Sequence, residues 1–419
     1  MGFLRRPYLT SPFSSSYNHA PMPQEDARAG TFWNRDFVVA LLGYFFLYMS
    51  ISLFFLLPLF LGQFNTSKSK IGLIMGIHSV MAILVRPFFG RMIDVRGGKR
   101  ISLWGMGILI AATPLFHLVR DAGAFPLFLR ALSGVGWGIS MTATISVCSD
   151  LSPAESLAKS MGIIGVAGLV ANALGPLAAE EIIHGFGYGA LFNAALLFLA
   201  ASLACILLTR EMPRAEAGRP SEPRFLRTVP VWALLIISAM PVFHGAVRGT
   251  MIYFIALFGK SIDIGRVGPF FVVFSLAAIL TRFGLGDLSD RRGRKRIIFL
   301  SAVIISVNLF AISQVRTFGQ LVVTGFIGGL GQGLIFPALS TYIVDFMGRQ
   351  NKGLAISLYL SLFDVGMGLG SPFFGWISDR LGYRKMYMTA GLFLLVSTMI
   401  FMARAPKTEA DRAARAPRT

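Results

Sequence analysis

Apolar runs of membrane-crossing length alternate with short polar breaks along almost the whole chain. A helix needs about 20 mainly apolar residues to cross a bilayer core. The charge-free run 37–61 meets that length and predicts the first crossing helix. Similar runs follow at about 71–93, 101–119, 124–148, 160–183 and 189–209. After a polar break they resume at about 230–258, 265–288, 297–315, 319–346, 353–377 and 386–404. The pattern predicts an all-α membrane protein of twelve transmembrane helices in two pseudo-symmetric six-helix bundles. The bundles would cover 37–209 and 230–404, with tails at 1–36 and 405–419 and a linker at 210–229.

Composition agrees, with 54% hydrophobic and only 14% charged residues, well below the quarter expected of a soluble domain. The formal net charge of +19 raises the question of nucleic acid, but the placement of the charge answers it. With the N-terminus inside, 26 Lys and Arg fall on the tails and same-side loops, against 9 on the opposite loops. That bias puts both termini in the cytoplasm of an inner membrane and directs the basic residues toward anionic lipid heads rather than nucleic acid. Residues 1–36 lack an apolar core followed by a cleavage site, so they read as a disordered tail, not a signal peptide. Cys148 and Cys205 lie in apolar runs without metal spacing, and no metal or other cofactor is expected.

One polar break occurs twice. Residues 90–100 and 286–296 both fit Gly-x-x-x-Asp-x-x-Gly-x-Lys-Arg, carried by Gly90, Asp94, Gly97, Lys99, Arg100 and by Gly286, Asp290, Gly293, Lys295, Arg296. Arg86 and Arg282 stand four residues before each copy. Further landmarks recur at an offset of 195: Gly134-Val-Gly136-Trp-Gly138 with Gly329-Leu-Gly331-Gln-Gly333, Asp150 with Asp345, Gly175 with Gly370, and Gly187-Tyr188 with Gly382-Tyr383. A chain that repeats itself at half-length is two like bundles, an arrangement secondary transporters use with the pathway between the repeats. Within each knot the first glycine would admit a neighbouring helix and the second would take a positive φ in a tight turn. The aspartates are available for charge-assisted hydrogen bonds or for the positive end of another helix.

These motifs resemble those of the major facilitator superfamily over about residues 37–404. The knot is similar to its signature loop between the second and third helices, echoed between the eighth and ninth. Leu127-x-x-Arg130-x-x-x-Gly134-x-Gly136 resembles its fourth-helix motif. Gly175-Pro176 resembles part of its antiporter motif, with Ala171, Ala178 and Ala179 where that motif has glycines. The resemblance implies that the knots form a cytoplasmic latch, closed when the cavity faces outward and broken when it opens inward, and that Arg130 faces the cavity.

Candidate chemistry lies in the few polar residues at membrane depth. Asp364 falls about twelve residues into the eleventh run, where an ionisable group is costly unless paired, protonated or facing water. It is the leading candidate for a coupling proton or a substrate partner, against a structural acid locked to an arginine. His244 and Arg248 share a helical face and could select anions or form a titrating switch; a histidine hydrogen bond to a carbonyl competes. His78 has the same bland alternative, and Gln332 and Tyr342 could meet a ligand or join helices. Arg86 and Arg282 are expected to support the latch, through Asp150 and Asp345. Glu180 and Glu181 are expected among lipid headgroups. The glycine strings follow no strand and carry no Gly-Lys-Ser/Thr, so they predict close helix packing rather than a nucleotide loop.

The sequence therefore predicts a secondary transporter, not an enzyme: a monomer moving a small-molecule substrate by alternating access, with protons as coupling ion. Proton-coupled export of a drug or metabolite leads. Uptake or exchange of an organic anion such as a monocarboxylate is the alternative, and a channel or sensor a distant one.

Overall fold

A computed structural model describes residues 33–152, 157–211, 231–285, 288–348 and 352–406. Most of the tails and linker, and Gly286 of the second knot, lie outside the described residues. Among the described residues, ten helices are long and apolar enough to cross a membrane. They begin α1 Arg35–Gly62, α2 Lys68–Arg96, α3 Gly98–Ala112 and α4 Ala124–Asp150. The helix Leu157–Leu208 holds two arms, α5 (157–186) and α6 (188–208). Then come α7 Val231–Ser261, α8 Gly268–Leu285, α9 Arg294–Gln314 and α10 Phe318–Met347. Lys352–Arg404 again holds two arms, α11 (352–381) and α12 (383–404).

Local chemistry sets the ends of these helices. The Asn34 side chain accepts from the Phe37 N–H at 2.7 Å, capping α1. Thr317 and Gln320 form a reciprocal capping box at the start of α10. Gly97 (φ 89°) and Gly293 (φ 89°) turn the chain at the knots, and Gly187 (φ 79°) and Gly382 (φ 80°) break the two longest helices. Each pair occupies equivalent positions of the repeat, and each needs a backbone that a Cβ disfavours.

Packing shows that the long helices fold back. Gly168 and Ile206 lie 19 residues either side of Gly187, yet both pack at Gly43–Tyr44 of α1. Gly366 and Thr398 lie 16 residues either side of Gly382 and both meet α7 at Met240–Val242.

The expected glycine packing is present, and it obeys the repeat. Gly134 and Gly138 press α4 against His78 and Ala82 of α2, while Gly329 and Gly333 press α10 against Phe274 and Ala278 of α8. Gly136 faces Gly105 of α3, and Gly331 faces Ile305 of α9. Small residues permit such approach where no hydrophobic drive separates helix from lipid. Gly329→Ala is expected to cost about 1–3 kcal/mol through forced separation of α8 and α10. Thermal unfolding in detergent should show a lowered Tm, whereas Gly107→Ala, where a Cβ meets nothing within 4 Å, should leave it unchanged.

The bundles meet most closely at the end away from the knots. There an added Cβ on Gly72 or Gly76 of α2 would strike the carbonyl of Ser371 or Gly368 on α11. A Cβ on Gly375 of α11 would likewise strike the Lys68 carbonyl, and one on Gly268 of α8 would come within 2.9 Å of the Leu177 Cα on α5. At the knot end, by contrast, a Cβ on Gly90 would meet nothing within 4 Å.

Candidate functional site

At the knots the lysine contacts lie within each bundle, as the resemblance implies for a latch whose cavity opens at that end. A Cβ on Gly90 would touch nothing, and Asp94, Arg100 and Arg296 are exposed. The working residues are the lysines. Lys99 Nζ donates to the Leu207 carbonyl at 2.9 Å and the Thr209 carbonyl at 2.5 Å, at the C-terminal end of α6. Lys295 Nζ donates to the Met402 carbonyl at 2.9 Å and the Ala405 carbonyl at 2.7 Å, at the end of α12. A helix C-terminus presents unpaired carbonyls and partial negative charge, so each ammonium closes its own bundle. Of Asp290 only the helical backbone is described.

The expected supports are also rearranged. Asp345 pairs with Arg294, whose Nε lies 3.1 Å from Oδ2, instead of with Arg282. Arg282 points across to α5, where a Cβ on Gly165 would sit 3.0 Å from its Nη1, and it covers the Phe336 ring at 5.4 Å. Arg86 is not directed to Asp150: it makes an ion pair and hydrogen bond with Asp364. That pair joins α2 of one bundle to α11 of the other. Asp364 lies 12 residues from the start of α11, roughly 18 Å along the axis at 1.5 Å per residue. The two side chains keep 19% and 17% exposure, so neither is fully enclosed.

The other candidates find partners of their own. Arg130 is 2% exposed, covers the Phe54 ring at 5.9 Å and leaves Nε and Nη1 without hydrogen-bond partners. Arg248 is buried with its guanidinium 4.4 Å from the Phe274 ring centroid, a cation–π contact. Among the described residues no carboxylate pairs with Arg130, Arg248 or Arg282. His244 Nε2 and Gln332 Oε1 lie 3.0 Å apart, so these two serve as partners between α7 and α10. Tyr342 donates to the Pro406 carbonyl at 2.7 Å, which gives it a place at the end of α12 rather than at a ligand.

Two acids escaped the sequence reading. Glu180, expected among headgroups, is 5% exposed and accepts from the backbone N–H of Val267 at 2.6 Å and Gly268 at 2.9 Å. Asp379, just past the eleventh apolar run, accepts from the N–H of Lys68 at 2.7 Å, the N–H of Ser69 at 2.8 Å and the Ser69 hydroxyl at 2.6 Å. An acid near a span end resembles a headgroup contact, and partners 87 and 311 residues away leave no local signal.

A multi-pass, all-helical protein with a duplicated knot, repeat-related glycine seams and an ion pair bridging two bundles is built as a membrane transporter. The Major Facilitator Superfamily profile matches residues 40–315 and 242–419, and the chain belongs to that superfamily. It is 29% identical over 391 residues to the multidrug resistance protein MdtG of Citrobacter koseri, covering 86% of this chain and 93% of that protein. It is 28% identical over 386 residues to MdtG of Escherichia coli, covering 86% and 92%. Among solved structures, a bacterial homologue of the human lysosomal transporter Spinster, inward-facing and occupied, superposes with a TM-score of 0.74 at 16% identity, over 88% of this chain and 96% of that one. The human organic anion transporter MFSD10 superposes with a TM-score of 0.63 at 17% identity, over 88% and 99%.

Proposed function

We propose that the protein exports small solutes by alternating access, driven by protons entering through Asp364. The observation that carries this is the partly exposed Arg86–Asp364 pair joining α2 of one bundle to α11 of the other. Ionised, Asp364 ties α11 to α2; protonated, it no longer attracts Arg86, and the bundles are freer to exchange positions. Direction follows from the MdtG relatives, which are named for multidrug resistance. The basic-residue bias supports twelve crossings with termini and knots in the cytoplasm of the inner membrane, since the two longest helices each fold back. The units 37–209 and 230–404 would then be the moving bodies.

A second reading, transport of organic anions, is favoured by the three arginines without carboxylate partners. A carboxylate or phosphonate on a solute would supply what Arg130 and Arg248 lack, and the neighbouring phenylalanines would receive its apolar body.

The test is a solute screen on reconstituted vesicles under an imposed pH gradient, reading internal pH. A proton flux tied to one solute class supports the proposal; saturable solute flux without any proton signal overturns the coupling. Arg248→Gln separates the readings, since flux of an anion should fall by roughly 10- to 100-fold, the loss of one charge-assisted hydrogen-bonded contact. Flux of a cation should be kept.

A further inference from the structure

The two acids missed by the sequence reading occupy related places. Glu180 lies on α5 of the first bundle and reaches the first backbone N–H groups of α8 in the second. Asp379 lies just beyond the eleventh apolar run in the second bundle and reaches the first N–H groups of α2 in the first. Helices α2 and α8 are equivalent in the repeat, as are α5 and α11. Each bundle thus lends one carboxylate to the other at the end away from the knots. The first turn of a helix has free N–H donors and a partial positive charge, so an ionised carboxylate is a strong partner for it.

We propose that Glu180 and Asp379 are crossed clasps that hold this end of the transporter shut. Three observations fit a clasp better than incidental capping. Both contacts cross the bundle boundary, whereas the caps of α1 and α10 are local. Both carboxylates engage two backbone donors, and Ser69 adds a hydroxyl to one of them. Each also sits beside a glycine seam, Gly375 on Lys68 and Gly268 on Leu177, where small changes in separation break the geometry. A donor at the end of a rigid helix moves with its bundle, so opening this end must break both clasps together. Backbone donors cannot swing after a departing carboxylate as lysine side chains can. That makes the clasp two-state, which alternating access requires.

The surrounding charges are few. Around Asp379 stand Lys68, 4.0 Å from Oδ1, and Tyr383, whose ring lies 5.5 Å from the Lys68 ammonium. Beside Glu180, Glu181 pairs with Arg266 at 3.0 Å, both largely exposed, and makes a control of equal charge without helix donors.

The test uses the full chain in lipid nanodiscs, with Cys148 and Cys205 replaced by serine and spin labels attached at two exposed pairs. Lys70 with Lys385 spans the Asp379 clasp, and His184 with Asp263 spans the Glu180 clasp. Distances are read by pulsed electron resonance without substrate or gradient, so the outcome is independent of whether export is correct. Asp379→Asn should enlarge the long-distance population of the first pair by roughly three- to tenfold, and Glu180→Gln should do so for the second. The double variant should open both, and Glu181→Gln should change neither. Parental distances in both single variants overturn the proposal, as does an equal effect from Glu181→Gln. Should Glu180→Gln fail to purify, Asp379→Asn on the solvent-reached rim decides by the Lys70–Lys385 pair.

Discussion

Asp364→Asn is expected to lower proton-driven solute flux by roughly two orders of magnitude, with the remaining flux insensitive to pH. The substitution keeps the shape of the side chain but leaves Arg86 charged, partly enclosed and unpaired between the bundles. Breaking a buried pair from one side costs about 3–5 kcal/mol, because the surviving charge stays desolvated. The 19% and 17% exposure of the two side chains places this pair toward the lower figure. At 1.36 kcal/mol per tenfold, about 3 kcal/mol is a factor of roughly 10². Arg86→Gln should show a similar loss, and the double variant Arg86→Gln/Asp364→Asn should regain stability without regaining pH dependence. Vesicle flux across pH 5.5–8 measures the first effect and thermal unfolding the second. An Asp364→Asn protein with parental pH dependence would rule out its role in coupling.

A stability loss of similar size is expected at Lys295. Lys295 is 7% exposed, and its ammonium satisfies the carbonyls of Met402 and Ala405 where α12 ends. Lys295→Met preserves length and burial but strands both acceptors and removes a cation from the negative end of a helix. Charge-assisted hydrogen bonds are worth about 1.5–3 kcal/mol, so a loss of roughly 3 kcal/mol is expected for the two. The measurement is Tm in detergent, with α12 becoming the first segment cut by limited proteolysis. Lys99→Met should show the same direction with a smaller loss, because Lys99 is less enclosed than its repeat partner. Equal Tm for parent and Lys295→Met would remove the clamp from the account of the knot.

The contrast between knot and pathway explains what was legible beforehand. Gly97, Gly293, Gly187 and Gly382 announce themselves by type and spacing, because positive φ is a demand a single residue must meet locally. Gly134 and Gly329 announce themselves by recurring at one offset, and their packing follows from being small. Arg86 misled because its distance from the knot suggested a local role, whereas its partner is 278 residues away on the other bundle. Glu180 misled for the same reason in reverse: its place near a span end suggested lipid, and its true partners are backbone groups that carry no side-chain signature. The knot lysines were assigned to a latch, and the structure adds that they reach helix ends of their own bundles.

The sequence by itself determined the helical membrane class, the repeat and the tight turns, because apolar length, glycine and charge bias act over a few residues each. Only the tertiary structure decided which charges meet. A carboxylate of Asp364 or Asp379 fits an arginine or a free helix end equally well, and the choice depends on how two bundles are seated against each other. That seating is the summed result of glycine seams on α2, α5, α8 and α11, and no single stretch of chain records it.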